Sequence, residues 1–165
     1  MNTDFGSALV CAVILIICIL PFVFLFRGKS KRQKKLFKVI QSMATDNGYE
    51  LGKFEIFTNF AIGVDAKNNF LFFYKEGKNF AKEYRIALNE IKDCKIIQTD
   101  KVINRDKKRS FMVDKLELNL LPFSAQGSEI SIEFFNTDDN LPLYSELSSL
   151  KSWKEFIQKN LQIAA

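Results

Sequence analysis

From Phe5 to Phe26 the chain runs 22 residues without a charge, FGSALVCAVILIICILPFVFLF, and then places six basic side chains in the next nine positions. As a helix that run extends about 33 Å at 1.5 Å per residue, enough to cross the hydrocarbon core of a bilayer. A cleaved signal peptide would carry Lys or Arg before the apolar run, a shorter run, and a small-residue cleavage site after it. Here the front is MNTDFGS and the exit is FLFRGK, so the flanks favour a retained transmembrane helix over residues 5–26. Neither Cys11 nor Cys18 reads as a lipidation site, because Val10 and Ile17 before them are not small. Pro21 introduces a kink that a bilayer tolerates when local geometry re-satisfies the freed carbonyl. Ala8 and Ala12 have the small-xxx-small spacing through which two spans approach in a weak homodimer, although a segment this rich in Ile and Leu also produces such a pair by chance.

The basic run fixes orientation. Arg27, Lys29, Lys31, Arg32, Lys34 and Lys35 give +6 in the juxtamembrane segment 27–35, residues 1–26 hold only Asp4, and residues 36–165 hold 18 basic and 18 acidic side chains. The whole net charge of +5 is therefore concentrated beside the apolar segment. By the positive-inside rule the expected topology is single-pass in the cell (inner) membrane, with the N-terminus outside and the C-terminal domain cytoplasmic. The same six side chains are the candidate membrane-surface contact with anionic headgroups, and retention of topology alone accounts for them equally well. A domain that binds a phosphate backbone carries its own positive face. This one has no net excess, so nucleic acid is not an expected partner.

Histidine is absent, which removes His-based metal sites, Ser-His and Cys-His nucleophile pairs and the usual neutral-pH proton shuttle. Cys94 stands alone in the domain beside Ile96 and Ile97, as a buried small hydrophobe would. The acidic run Asp138-Asp139-Asn140 lacks the glycine and the twelfth-position Glu of a calcium loop and reads as a helix cap. No catalytic residue, metal or cofactor is expected.

About 130 residues follow the basic run, enough for one domain with a core. Residues 36–48 form a short amphipathic helix, with Leu36, Val39, Ile40 and Met43 on one face and Gly48 as the stop. That face packs on the domain or lies in the membrane interface. Then come period-2 segments. GKFEIF at 52–57 is a candidate strand, the seventh if it pairs. Ile62 and Val64 alternate before the turn DAKNN. Phe70, Phe72 and Tyr74 alternate after it, with Leu71 and Phe73 opposite, so this strand needs cover on both faces. After a loop KEGKNFAK come Tyr84, Ile86 and Leu88, a corner NEIKD, and a long, bulged CKIIQTDKVI. RDKKRS is the tip of a hairpin, and Arg105, Lys107, Lys108 and Arg109 there are a candidate interaction tip, although charged tips are commonly just solvated. Leu116, Leu118 and Leu120 alternate up to Pro122, and Ile130, Ile132 and Phe134 mark the last strand. After NTDDNLP, Leu143, Leu147, Leu150, Trp153, Ile157 and Leu161 recur at helical spacing. The fold class is mainly β (α+β): a six- or seven-stranded antiparallel meander with a C-terminal amphipathic helix.

AIGVDAKNNFLFFYKEG followed by IALNEIKDCKII is similar to bacterial single-span membrane proteins with a pleckstrin-homology-like (PH-like) domain. There a strand ending in Asp, a tight turn, an aromatic strand and an isoleucine corner recur, here Asp65, Phe70–Tyr74, Ile86, Ile91, Cys94 and Ile96. EISIEFFN and the Trp-bearing helix extend the resemblance over residues 54–162. It implies a bent barrel over residues 50–162 plugged by the helix, and a non-enzymatic scaffold binding a protein or lipid partner. Phosphoinositide-binding members carry a Lys/Arg cluster in the first hairpin. This chain has only Lys67 there, with Lys75, Lys78 and Lys82 in what reads as the next loop. The alternative is a cystatin- or NTF2-like curved sheet with a carboxylate- or Lys-based enzymatic site.

Overall fold

A computed structural model describes residues 31–163, apart from 66, 78–79, 106–107, 125–126, 140–142 and 144. The apolar segment 5–26, and Arg27 and Lys29 after it, lie outside the described residues. Among the described residues no helix is long and apolar enough to cross a membrane.

Seven strands form two antiparallel sheets in which every neighbour in space is also the neighbour in sequence. The first contains β1 (Lys53–Ile56), β2 (Phe60–Asp65), β3 (Phe70–Glu76) and β4 (Ala81–Ala87). A short 3-10 turn, Leu88–Glu90, leads into the second, β5 (Ile91–Arg105), β6 (Lys108–Pro122) and β7 (Ile130–Asn136). Among the described residues helix α1 covers 31–45, and α2 covers Glu146–Ile163.

The main core lies between the sheets. Phe60, Ile62, Val64, Leu71 and Phe73 from the first meet Leu116, Leu118, Leu120, Ile132 and Phe134 from the second. Leu150, Trp153 and Ile157 of α2 complete it, and all three are fully buried. Trp153 keeps its polar edge satisfied by donating Nε1–H to Glu55 Oε2 at 2.9 Å, while Ser149 donates to the other oxygen of the same carboxylate at 2.6 Å. Lys53 lies over the Trp153 and Phe156 rings, 4.7 and 4.3 Å from their centroids. One strand, β1, thus fastens the helix through both a carboxylate and a cation.

The double-faced β3 finds its second cover in α1. Leu36, Ile40, Met43 and Ala44 bury against Phe72, Tyr74 and Ala61 on the outer face of the first sheet. Outward positions of β2 are small for the same reason. A Cβ on Gly63 would stand 2.7 Å from Leu51 Cδ1, where the chain passes over the sheet. The helix stops in a Schellman motif. Gly48, at φ 76°, donates to Thr45 O, and Tyr49 donates to Ala44 O. Packing on the domain is therefore the use to which the 36–48 face is put.

Three boundaries differ from expectation. The first helix already includes residues 31–35, ahead of the expected start at 36, so Lys31, Arg32, Lys34 and Lys35 are helical; these long side chains are good helix formers and occupy its exposed flank. The KEGKNFAK loop shrinks, because β3 continues to Glu76 and β4 starts at Ala81. The last helix begins only at Glu146, with Thr137–Asp139 forming a separate 3-10 turn. The bulge expected in the long strand is present, between Thr99 and Asp100.

Candidate functional site

Alternation along β3 puts Leu71, Phe73 and Lys75 on one face and Phe72, Tyr74 and Glu76 on the other. The core face of the strand thus ends in a lysine. Its side chain is fully buried, which is tolerable only with partners for the charge. Lys75 Nζ donates to Glu133 Oε1 at 2.6 Å and lies 2.7 Å from Asp139 Oδ2. The two carboxylates arrive by different local devices. β7 slips register against β6 between Leu116 and Glu117, so that Leu116 pairs with Phe135 while Glu117 pairs with Glu133. Asp139 closes the 3-10 turn that Asn136 starts by accepting the Asp138 N–H at 2.9 Å.

Further bonds fix each acid. Asn59 Nδ2 donates to Asp139 Oδ2 at 3.0 Å, and Asn136 Nδ2 donates to Glu133 Oε2 at 3.1 Å. Lys115 Nζ lies 3.4 Å from Glu133 Oε2 and 3.6 Å from Glu117 Oε1. Burial pushes the Glu133 carboxyl upward, but the hydrogen bond and charge of Lys75, with Asn136 and Lys115, outweigh it and hold the group below the ordinary carboxylate value. Burial likewise lowers Lys115, and Glu117 and Glu133 more than restore it, leaving it raised.

This cluster forms the wall of an open cleft of about 540 Å³. Its rim brings in Arg32 from α1, Glu76 from β3, Phe80 and Lys82 before and within β4, and Asp138. Lys82 lies 5.5 Å from the centroid of the Phe80 ring, which is itself 48% exposed. The cleft therefore offers alternating positive and negative groups beside one exposed aromatic ring. Its charges are largely engaged with one another.

Of the basic residues expected at the membrane surface, the structure brings Arg32 and Lys35 to Glu76, at 3.9 and 2.5 Å. The Lys35 hydrogen bond and the positive charges lower the Glu76 carboxyl, and Glu76 in turn raises Lys35. Lys31 and Lys34 are exposed on the same helix. At the second candidate tip, Arg105 pairs in register with Lys108, and Asn104 with Arg109; Lys107 lies outside the described residues.

Cys94 is buried, and burial followed by the Asp93 charge pushes its thiol up to about 12, so no thiolate forms near neutrality. The Asp138-Asp139 run does not cap α2. Asp139 is claimed by Lys75 and Asn59 instead, and Asn140 lies outside the described residues. Lys75 was placed in a loop by its sequence neighbours and is in fact the deepest charge of the site. The signal that could have found it was the continuing alternation Leu71, Phe73, Lys75, which demands an acid on the facing sheet. No described group of three or more Cys, Asp or Glu has metal-binding geometry. In comparisons with known proteins, no family model, curated protein or solved structure matches the chain.

Proposed function

We propose that this chain is a membrane-tethered, PH-like interaction module, non-enzymatic and facing the cytoplasm, whose mixed-charge cleft receives a protein partner. The fold reading draws support from a four-stranded and then a three-stranded antiparallel sheet, each in sequence order, closed by a C-terminal helix with a buried Trp. The tether reading draws support from the uncharged run 5–26 and the basic residues after it.

The observation that carries the binding reading is the pairing of the cleft's charges. Lys75 is shared by Glu133 and Asp139, Lys115 by Glu117 and Glu133, and Glu76 by Arg32 and Lys35. Groups already neutralised by neighbours are poor nucleophiles and poor proton carriers. They are suited to exchanging partners with a polypeptide of both charge signs, and exposed Phe80 supplies an apolar anchor beside them.

A photo-crosslinking residue at Phe80 in the full chain, in intact cells, tests this. It should capture one discrete protein that the same residue at Phe54, exposed beside α1, does not. Equal labelling from both positions would remove the cleft from consideration. A C-terminal alkaline phosphatase fusion that is active outside the membrane would overturn the cytoplasmic assignment.

A further inference from the structure

Two lysines stand opposite each other on β3 and β4. The register pairs Lys75 with Lys82, and residues directly opposite in an antiparallel pair project from the same face of the sheet. Like charges in that relation repel. Lys75 is answered by Glu133 and Asp139. Lys82 has no carboxylate partner among the described residues; it is exposed, and its ammonium rests 5.5 Å from the centroid of the Phe80 ring.

That ring is seated on a glycine. A Cβ added to Gly77 would stand 2.4 Å from ring carbons Cε1 and Cζ of Phe80, and the Gly77 N–H donates to Phe80 O at 2.9 Å. Gly77 is not among the residues at positive φ, so the missing side chain supplies room for the ring rather than backbone freedom. The seated ring is still 48% exposed, which makes it a preformed apolar contact on the cleft rim.

Charge along the cleft also has a direction. At the Phe80 end Arg32, Lys35 and Lys82 stand against Glu76 alone, three basic groups to one acidic, an excess of +2. Further along, Lys75 and Lys115 stand against Glu117, Glu133, Asp138 and Asp139, two basic groups to four acidic, an excess of −2. The described cleft is neutral as a whole and polar along its length. Arg32 is the looser partner of Glu76, at 3.9 Å, because Lys35 holds the same carboxylate at 2.5 Å.

We infer that the cleft takes an acidic–apolar segment of its protein partner: a carboxylate engages Lys82 and draws Arg32 from Glu76, while a large apolar side chain beside that acid covers Phe80. A basic segment entering here meets three cations and one acid. An acidic one finds a free ammonium and relieves the repulsion between Lys82 and Lys75, a gain made only in the bound state. The inference rests on the reading of the cleft as a protein site and adds the sign and company of the group that enters it.

The test adds charge variants to the full chain carrying the photo-crosslinking residue at Phe80. Lys82→Glu should cut capture by about tenfold and Lys82→Arg should retain it, because reversal turns an attraction at the rim into a repulsion. The crosslinked peptide, sequenced by mass spectrometry, should carry Asp or Glu within two residues of the crosslinked position. Capture that Lys82→Glu leaves unchanged or raises, or a crosslinked segment that is basic, would overturn the inference while leaving the cleft as a protein site. No capture at Phe80 beyond that at Phe54 overturns the cleft reading and the inference together. The captured segment, made as a synthetic peptide and titrated against the full chain in detergent with native Phe80, supplies a second readout. Gly77→Ala removes the seat of the ring without touching a charge, so it should weaken binding as much as Phe80→Ala does, with the unfolding midpoint followed by Trp153 fluorescence unchanged. Wild-type affinity in Gly77→Ala would overturn the part assigned to the ring.

Discussion

Lys75 and Glu76 are consecutive residues of one strand, and each joins the first sheet to something else. Lys75 turns inward and ties it to the second sheet through Glu133 and Asp139; Glu76 turns outward and ties it to α1 through Lys35 and Arg32. The lysine side chain is fully buried, whereas the glutamate keeps 25% of its surface and its lysine partner 59%. Water screens the outer pair and reaches the inner cluster far less, only through the cleft-facing sides of Glu133 and Asp139. Two ion pairs of similar length on neighbouring residues thus differ in kind. The inner one is a structural commitment, and the outer one trims a helix already held by Leu36 and Ile40.

Breaking the inner cluster from the acid side should have the largest effect. Glu133→Ala leaves Lys75 buried with Asp139 as its remaining carboxylate and should cost about 3–5 kcal/mol in denaturant unfolding of the full chain in detergent, followed by Trp153 fluorescence. Neutralising all three members, as Lys75→Met with Glu133→Gln and Asp139→Asn, should recover most of that loss. A loss under about 1 kcal/mol for Glu133→Ala would mean that the inner pair is no different from a surface one.

Next comes the helix. Ile40→Ala should cost about 2–4 kcal/mol, because α1 is docked by apolar contact. An effect no larger than that of Glu76→Gln would show instead that ions hold it.

Acid sharpens the same contrast. The folded Glu133 carboxyl lies below its ordinary value of 4.5, so its contribution is full above that pH and is lost as pH falls through the folded value. The stability gap between the wild type and Glu133→Gln should therefore narrow below about pH 4.5, by about 1.4 kcal/mol for each unit of depression. A constant gap from neutral to acid pH would contradict this. The smallest effect belongs to Glu76→Gln, whose shift in unfolding midpoint should vanish in high salt, where exposed pairs are screened; a shift that persists there would place Glu76 in the buried class.

The alternation of Phe70 to Tyr74 told that β3 has cover on both sides, whereas the stripe from Leu36 to Met43 left domain and membrane interface both open as its partner, and only the fold puts it over Phe72 and Tyr74. Six or seven strands, a bulge somewhere in the long strand and the Trp153 stripe were legible because apolar periodicity is written locally; the seventh strand and the bulge's place at Thr99 came with the fold. The site was not. Lys75 follows five apolar residues and precedes Glu-Gly, the composition of a loop, and only a partner 58 residues away makes it a core position. Glu133 looks like an outward residue of an alternating strand until the register slip at Glu117 reorganises its neighbours. Asp139 was read as a helix cap because caps are local, whereas its true partners, Asn59 and Lys75, lie across the fold.

Sequence-order pairing in both sheets has a consequence for synthesis. A chain emerging from its N-terminus has α1 and all four strands of the first sheet available once Ala87 is made, and each piece pairs with the piece just before it. That half is not self-sufficient. The acids for Lys75 are still to come, and so are the hydroxyl and indole that Glu55 will accept from, 94 and 98 residues further on. A half-made domain therefore carries an unmatched cation on its greasy face and an unmatched acid on its first strand, both of which favour water. These charges act as a brake on premature burial, and the domain closes only when its last helix has been delivered.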